Sequence, residues 1–168
     1  MNIFYTDIDP VQAARDLPDR HIVKMPVEAV QMLVSACVRH GIQPNVITKK
    51  GTVHKGGYHN HPCTVWAGDS FENAYWTWQW GLALCEEYTK RYGKVHFAQG
   101  QLHTLCDAIM DRRLPATGFT PPAQAMPDEC KSADPVTAYR NCINHKLATR
   151  PGTFVWNKGT AAPEWAHA

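Results

Sequence analysis

With 168 residues, of which 44% are hydrophobic and 19% charged, the chain is one domain's worth of sequence with material for a sizeable core, which excludes an intrinsically disordered protein. A formal charge of +2 lacks the clear basic excess of a sequence-independent nucleic-acid binder, but clustered cations and nine histidines leave room for one positive face, so charge neither establishes nor excludes a nucleic-acid partner. No apolar run approaches the length of a membrane span, Met1-Asn2-Ile3-Phe4 lacks signal-peptide character, and the six scattered cysteines form no C-x-x-C pair; a soluble, cytoplasmic protein with reduced core thiols and no membrane association is expected.

Asp9-Pro10 reads as the cap and first-turn proline of a short helix through about Leu17. Asp19 is expected to cap a second helix that runs toward His40 and stops at Gly41, with Pro26 inside it as a kink or restart. The Gly, Pro, Lys and His content from Ile42 to Ala67 predicts an ordered loop with a short strand at most. Asp69-Ser70-Phe71-Glu72 fits a capping box that opens a long helix through Trp76, Trp80 and Leu84 to Gly93, with Lys90 and Arg91 complementing the dipole in its last turn. A further helix is expected from about Val95 to Arg113, then an extended loop from Pro115 to Ala133 with four prolines. A last helix from Asp134-Pro135 to about Ala148 precedes a tail carrying Trp156 and Trp165. The fold class is therefore mainly α, or all-α: a compact single-domain helical bundle spanning 1–168, with long ordered loops and an extended N-terminus.

The second helix is the most informative stretch. At a hundred degrees per residue, His21, Lys24, Glu28, Gln31 and Ser35 fall within about 80° of arc, and Ile22, Val23, Val27, Val30, Leu33, Val34 and Val38 cover the rest. A surface helix has the opposite pattern, so this one is expected inside the protein with its narrow polar stripe on a cleft. A carboxylate, an imidazole and an ammonium on one low-dielectric wall perturb one another's protonation and suit acid/base chemistry. Equally open is a structural reading: an i,i+4 ion pair between Lys24 and Glu28, with His21 a hydrogen-bonded core residue.

Three other constellations each have two readings. His54, His59, His61 and Cys63 are zinc-type donors, but their spacing matches no common zinc pattern, and Asn60 and His61 side chains ahead of Pro62 also suit local amide bonding. Trp76, Trp78 and Trp80 cannot all face one cleft, which puts at least one pair in the core. Arg150 to Gly159 interleaves Phe154 and Trp156 with Arg150 and Lys158, which suits base stacking with phosphate contact, or else a C-terminal strap packing its aromatics on the core. No Gly-rich phosphate loop, H-E-x-x-H pair or G-x-S-x-G elbow is present.

Four collinear segments carry a family resemblance: Met1-Asn2-Ile3-Phe4; Asp19-x-His21 with Glu28 at D-x-H-x(6)-E spacing; the His61-Pro62 loop followed by a helix ending Glu86-Glu87-Tyr88-Thr89-Lys90-Arg91; and Met126-Pro127-Asp128-Glu129 with Lys146-Leu147-Ala148-Thr149-Arg150-Pro151. In these the chain resembles the pyrimidine-dimer DNA glycosylase/AP lyase family, small all-α phage and bacterial enzymes in which a backbone amine attacks a deoxyribose carbon. It is also similar to a set of phage and bacterial proteins with D-K-H-V-V-K-M, N-H-P-C and A-M-P-D-E signatures. The resemblance implies Glu28 as the catalytic carboxylate and the first amine as the nucleophile, which Asn2 keeps on Met1 because it is too large for normal methionine removal. On that reading His21 is expected to orient or hydrogen-bond Glu28, and Asn2, Lys24, Gln31, Asn60, His61, Lys146, Arg150, Trp156 and Lys158 are expected to contact substrate. An α-amine ordinarily titrates at about 7.7–8.0, far below a lysine, so a useful fraction is uncharged at neutral pH.

This sequence departs from the family where phage enzymes carry cations: Val27 stands before the glutamate, Gln31 follows a turn later, Asn2 replaces an N-terminal arginine, and Asp9 to Arg15 lengthen the start. The implied partner is double-stranded DNA with a damaged or modified base, with no cofactor, no metal and no obligate protein partner. Two other functions fit the same residues: a metal-dependent nucleic-acid or nucleotide hydrolase using the loop histidines with Glu28, and a non-catalytic phage DNA-binding protein on the same scaffold.

Overall fold

Asp9 meets the expectation set by Pro10: its carboxylate accepts from the Val11 amide and opens α1, Pro10–Arg15. The computed structural model describes residues 1–111 and 113–167. After α1 come α2 (Asp19–Arg39), α3 (Pro62–Ala67), α4 (Phe71–Tyr92), α5 (Phe97–Met110), a 3-10 turn at Asp128–Cys130, and α6 (Pro135–Thr149). Among the described residues there is no sheet; one antiparallel bridge, Ile47 to Val53, closes a turn in the loop after α2. The chain is an all-α bundle with long ordered loops and an extended N-terminal segment.

α2 is the spine. It packs on α3, α4 and α5, and its buried residues feed two separate apolar clusters. Ile22, Met25, Ala29 and Met32 join Ile3, Phe4, Trp76, Trp80, Leu84, Tyr139 and Phe154 on one side. Val30, Leu33, Val34 and Cys37 join Ile42, Val46, Leu102, Leu105 and Ile109 on the other. Close approach is set by Gly81 of α4, where a Cβ would lie 3.1 Å from Ala29 Cβ and from both Leu102 methyls. α2 is long and apolar enough to cross a membrane by length and composition, contrary to the expectation that no run comes close, but most of it is buried against the other helices and it serves as a core helix. Pro26 sits inside one continuous helix rather than restarting it. Nor is α2 enclosed all round, because Val23, Val27 and Val38 open to solvent.

Two caps differ from the sequence expectation. Pro18, not Asp19, precedes the first turn of α2, because the Asp19 carboxylate is turned to other partners. Arg91, buried in the last turn of α4, donates to Asp19 at 3.1 Å, to Glu87 at 3.1 Å, and to the carbonyls of Leu17 (2.7 Å) and Arg15 (2.9 Å). The second Asp19 oxygen accepts the Asn157 amide at 2.7 Å, which ties in the C-terminal tail. Ser70, not Asp69, caps α4 through the Asn73 amide, and Glu72 is taken by the Gly118 amide at 3.1 Å. Gly93 stops α4 in the left-handed conformation, as a glycine there should. The short α3 lies within a segment expected to be loop; Pro62 starts it and His61 caps it.

Candidate active site

Residues 2–6 are buried beneath α2, and their path is bent at Phe4, which takes a left-handed φ of 39° that L side chains rarely adopt. Asn2 holds the bend. Its side-chain oxygen accepts from the Ile3 amide (2.8 Å) and the Phe4 amide (3.3 Å), while its side-chain nitrogen reaches the Ala125 carbonyl at 3.3 Å. This anchoring delivers the chain's first amine to α2: Met1 N lies 3.5 Å from Glu28 Oε2, and the Asn2 amide donates to the same oxygen at 3.0 Å. Lys24, one turn earlier, pairs with Glu28 Oε1 at 2.9 Å. The buried carboxylate thus meets an amine, an amide and an ammonium.

These groups border a cleft of about 250 Å³, lined by Met1, Asn2, Phe4, His21, Lys24, Met25, Glu28, Ala125 and Lys146. His21 forms part of its wall, with the Phe4 ring centroid at 4.5 Å and the Phe154 ring stacked at 5.1 Å. Burial, and then the positive charges of Lys146, Lys24 and Arg20, lower its pKa to about 3, so the imidazole is neutral at ordinary pH. Its Nδ1 is buried without a hydrogen-bond partner, and no bond to Glu28 is found among the described residues. The orienting bond expected for His21 is thus not found among the described residues, and the neutral ring stands as part of the cleft wall. Lys146 places its ammonium 5.9 Å from the Phe4 centroid and 5.8 Å from that of Phe154, which puts a second cation across the cleft from Lys24.

Of the sequence-predicted residues, the fold brings Met1, Asn2, His21, Lys24, Glu28 and Lys146 to one cleft. His61 stands behind them. Its Nδ1 accepts the Cys63 amide at 3.2 Å as the α3 cap, and its pKa is lowered first by burial and then by the chain amine, with Glu28 opposing. Gln31 is half-buried beyond the cleft, against Gly57. Asn60, Arg150 and Lys158 are exposed and do not line the cleft. Trp156 faces inward, its indole donating to the Asp16 carbonyl at 3.1 Å, so the tail behaves as the strap. The zinc-type donors are not brought together: Cys63 is buried beside the Tyr139 hydroxyl at 3.8 Å with its thiol pKa raised by burial. Among the described residues no three His, Cys, Asp or Glu side chains are grouped to hold a metal ion.

Sequence reasoning missed most of the walls. Phe4, Met25, Ala125 and Phe154 shape the site without any polar signal; Phe4 and Ala125 fell only within resembling segments, Phe154 was marked only as a tail aromatic, and nothing singled out Met25.

A family model described as pyrimidine dimer DNA glycosylase matches residues 1–99, more than half of the chain. The matched part contains Met1, Asn2, His21, Lys24, Glu28 and His61, and leaves Ala125 and Lys146 outside. No curated protein and no solved structure matches the chain.

Proposed function

The chain belongs to the pyrimidine dimer DNA glycosylase family, which with the all-α fold supports a DNA-acting, glycosylase-like function in general, and from that premise we propose that it releases a damaged or modified base from duplex DNA with the Met1 amine as nucleophile and Glu28 as proton carrier. The observation that carries this reading is the 3.5 Å approach of Met1 N to Glu28 inside an open cleft, close enough for both to serve one reacting sugar. In the proposed reaction the uncharged amine attacks C1′, and the glycosidic C–N bond breaks with its electron pair leaving on the base. The new C1′–N⁺ centre passes a proton to the Glu28 carboxylate. Opening of the C1′–O4′ bond by the nitrogen lone pair, with that proton delivered to O4′, gives a protonated imine linked to the chain terminus. If strand cleavage follows, loss of a C2′ proton expels the 3′ phosphate.

The surroundings suit this chemistry. Lys24 and Lys146 offset the charge of the incoming phosphates, and the neutral His21 adds no further positive charge beside the amine. Val27 and Gln31 stand where the phage enzymes carry cations, which weakens phosphate contact and reshapes the pocket, so another lesion or a modified base suits the cleft as well as the pyrimidine dimer does.

Borohydride reduction on a duplex containing an abasic site tests the reading. A covalent protein–DNA adduct is expected, and it should vanish when one residue is added ahead of Met1. An adduct that survives that extension removes the amine mechanism. Absence of any adduct, together with unaltered DNA binding by Glu28→Gln, would instead favour the non-catalytic DNA-binding reading.

A further inference from the structure

The loop between α2 and α3 is used by none of the chemistry above, yet it holds a second strained residue. Phe4 and Tyr58 are the two described non-glycine residues with positive φ, and Tyr58 adopts 52°. A bulky aromatic in that region is an outlier that the surrounding structure must impose. The constraint here is visible. Ser35 Oγ of α2 accepts from the Gly57 amide at 2.8 Å and donates to the Gly57 carbonyl at 3.1 Å, while Gly56 lies so close that a Cβ there would sit 2.2 Å from Ser35 Oγ. His54 Nδ1 accepts the Gly56 amide at 2.9 Å on one side, and on the other the His61 amide binds the Tyr58 carbonyl at 2.9 Å. The backbone is clamped onto α2 and the next side chain is thrown outward. Tyr58 is 68% exposed, and among the described residues its ring and hydroxyl make no ring contact or hydrogen bond.

Its charge environment points to one partner. Residues 42–68 contain no Asp or Glu, but carry Lys49, Lys50, Lys55, His54, His59 and His61. Gly57 packs on Gln31, three residues and about 4.5 Å of helix rise beyond Glu28, and His61 feels the charge of both Met1 N and Glu28. An unpartnered aromatic on a cationic loop beside the cleft combines stacking with phosphate attraction, the pairing that single-stranded or opened nucleic acid favours.

We infer that Tyr58 is a stacking wedge that enters the duplex beside the target nucleotide and occupies the gap left when that nucleotide moves into the cleft. The inference rests on the DNA reading proposed above and adds the residue that holds the duplex open. Extruding a nucleotide costs unstacking, and a preset aromatic surface lowers that cost.

The test uses the full chain and a duplex carrying a tetrahydrofuran abasic analogue with 2-aminopurine on its 3′ side, at fixed salt. Tyr58→Ala should bind this duplex about 10-fold more weakly and lose the 2-aminopurine signal, within the range that alanine replacement of a stacking aromatic gives. Tyr58→Trp and Tyr58→Phe should retain both. Tyr58→Gly should lose affinity as Tyr58→Ala does while raising the melting temperature, because glycine relieves the left-handed backbone. Tyr58→Ala that binds and perturbs the duplex like the unaltered protein, in a protein that still gives the borohydride adduct, overturns the wedge and leaves the glycosylase reading standing. An unaltered protein that neither binds the duplex nor forms the adduct overturns both.

Discussion

Asp19 and Glu28 lie on the same helix, both buried, yet their partners differ in kind. Asp19 faces a guanidinium fixed by two backbone carbonyls and a second carboxylate, with a tail amide on its remaining oxygen. Every strong group there is satisfied, and all of it is packed between α1, α2, α4 and the tail. Glu28 instead faces a chain terminus and a lysine whose side chain is 66% exposed, at the edge of an open cleft. Burial of a carboxylate is common to both regions. On the function proposed above, what separates the two is whether the partners can be exchanged for a substrate.

The largest effect should come from exchanging the two acids. Glu28→Gln should lower borohydride-trappable turnover by about 10²–10⁴-fold, the usual loss for a proton-transfer group, with a melting temperature close to that of the unaltered protein. Asp19→Asn should do the reverse, and comparable activity losses per folded molecule in both would break the distinction. Next in size, Arg91→Met strands two buried carboxylates and should cost about 3–5 kcal/mol, read as a fall in urea midpoint at unchanged slope. A loss below 1 kcal/mol would mean the network contributes little.

The cleft wall supplies a pH signature of its own. His21 has its pKa lowered from 6.5 to about 3, so the unfolded chain binds a proton across that interval that the folded chain refuses. Its contribution to stability is present above pH 6.5 and is lost as the pH falls toward 3, at up to about 1.4 kcal/mol per pH unit. His21→Phe should flatten this acid limb in denaturant titrations; an unchanged limb would show that other groups set it. Smaller again, Asn2→Ala removes the acceptor that holds the Phe4 bend and should cost about 1 kcal/mol, with a greater loss of adduct formation than of stability. Smallest is Lys24→Ala, where exposure limits the stability change to less than about 1 kcal/mol, and the effect should appear mainly as weaker DNA binding at low salt with a shallower dependence on salt.

Local signals in the sequence placed the helices well. Asp9-Pro10, Asp134-Pro135 and Gly93 act as their chemistry requires, because caps and stops are decided within a few residues. The polar stripe of α2 led to the cleft, and three of its members line it. Partner choice across long stretches of sequence was not legible. Asp19 looked like a cap because Arg91, its partner 72 residues away, leaves no local trace. Val23 and Val27 looked like core for the same reason: periodicity describes a helix's faces, while exposure depends on what the rest of the chain leaves uncovered. The inward turn of Trp156 and the wall formed by Phe154 likewise depend on packing at a distance.

The cleft also has an order of assembly. Its amine and carboxylate belong to the first 28 residues, while Ala125, which receives the Asn2 side chain, and Lys146, which supplies the opposite charge, come from the second half of the chain. A nascent chain paused on the ribosome after α4 would carry both reacting groups without the floor that aims them. On the function proposed above, competence to modify DNA is therefore expected only once residues 125–146 have been made and α6 has packed against residues 2–6.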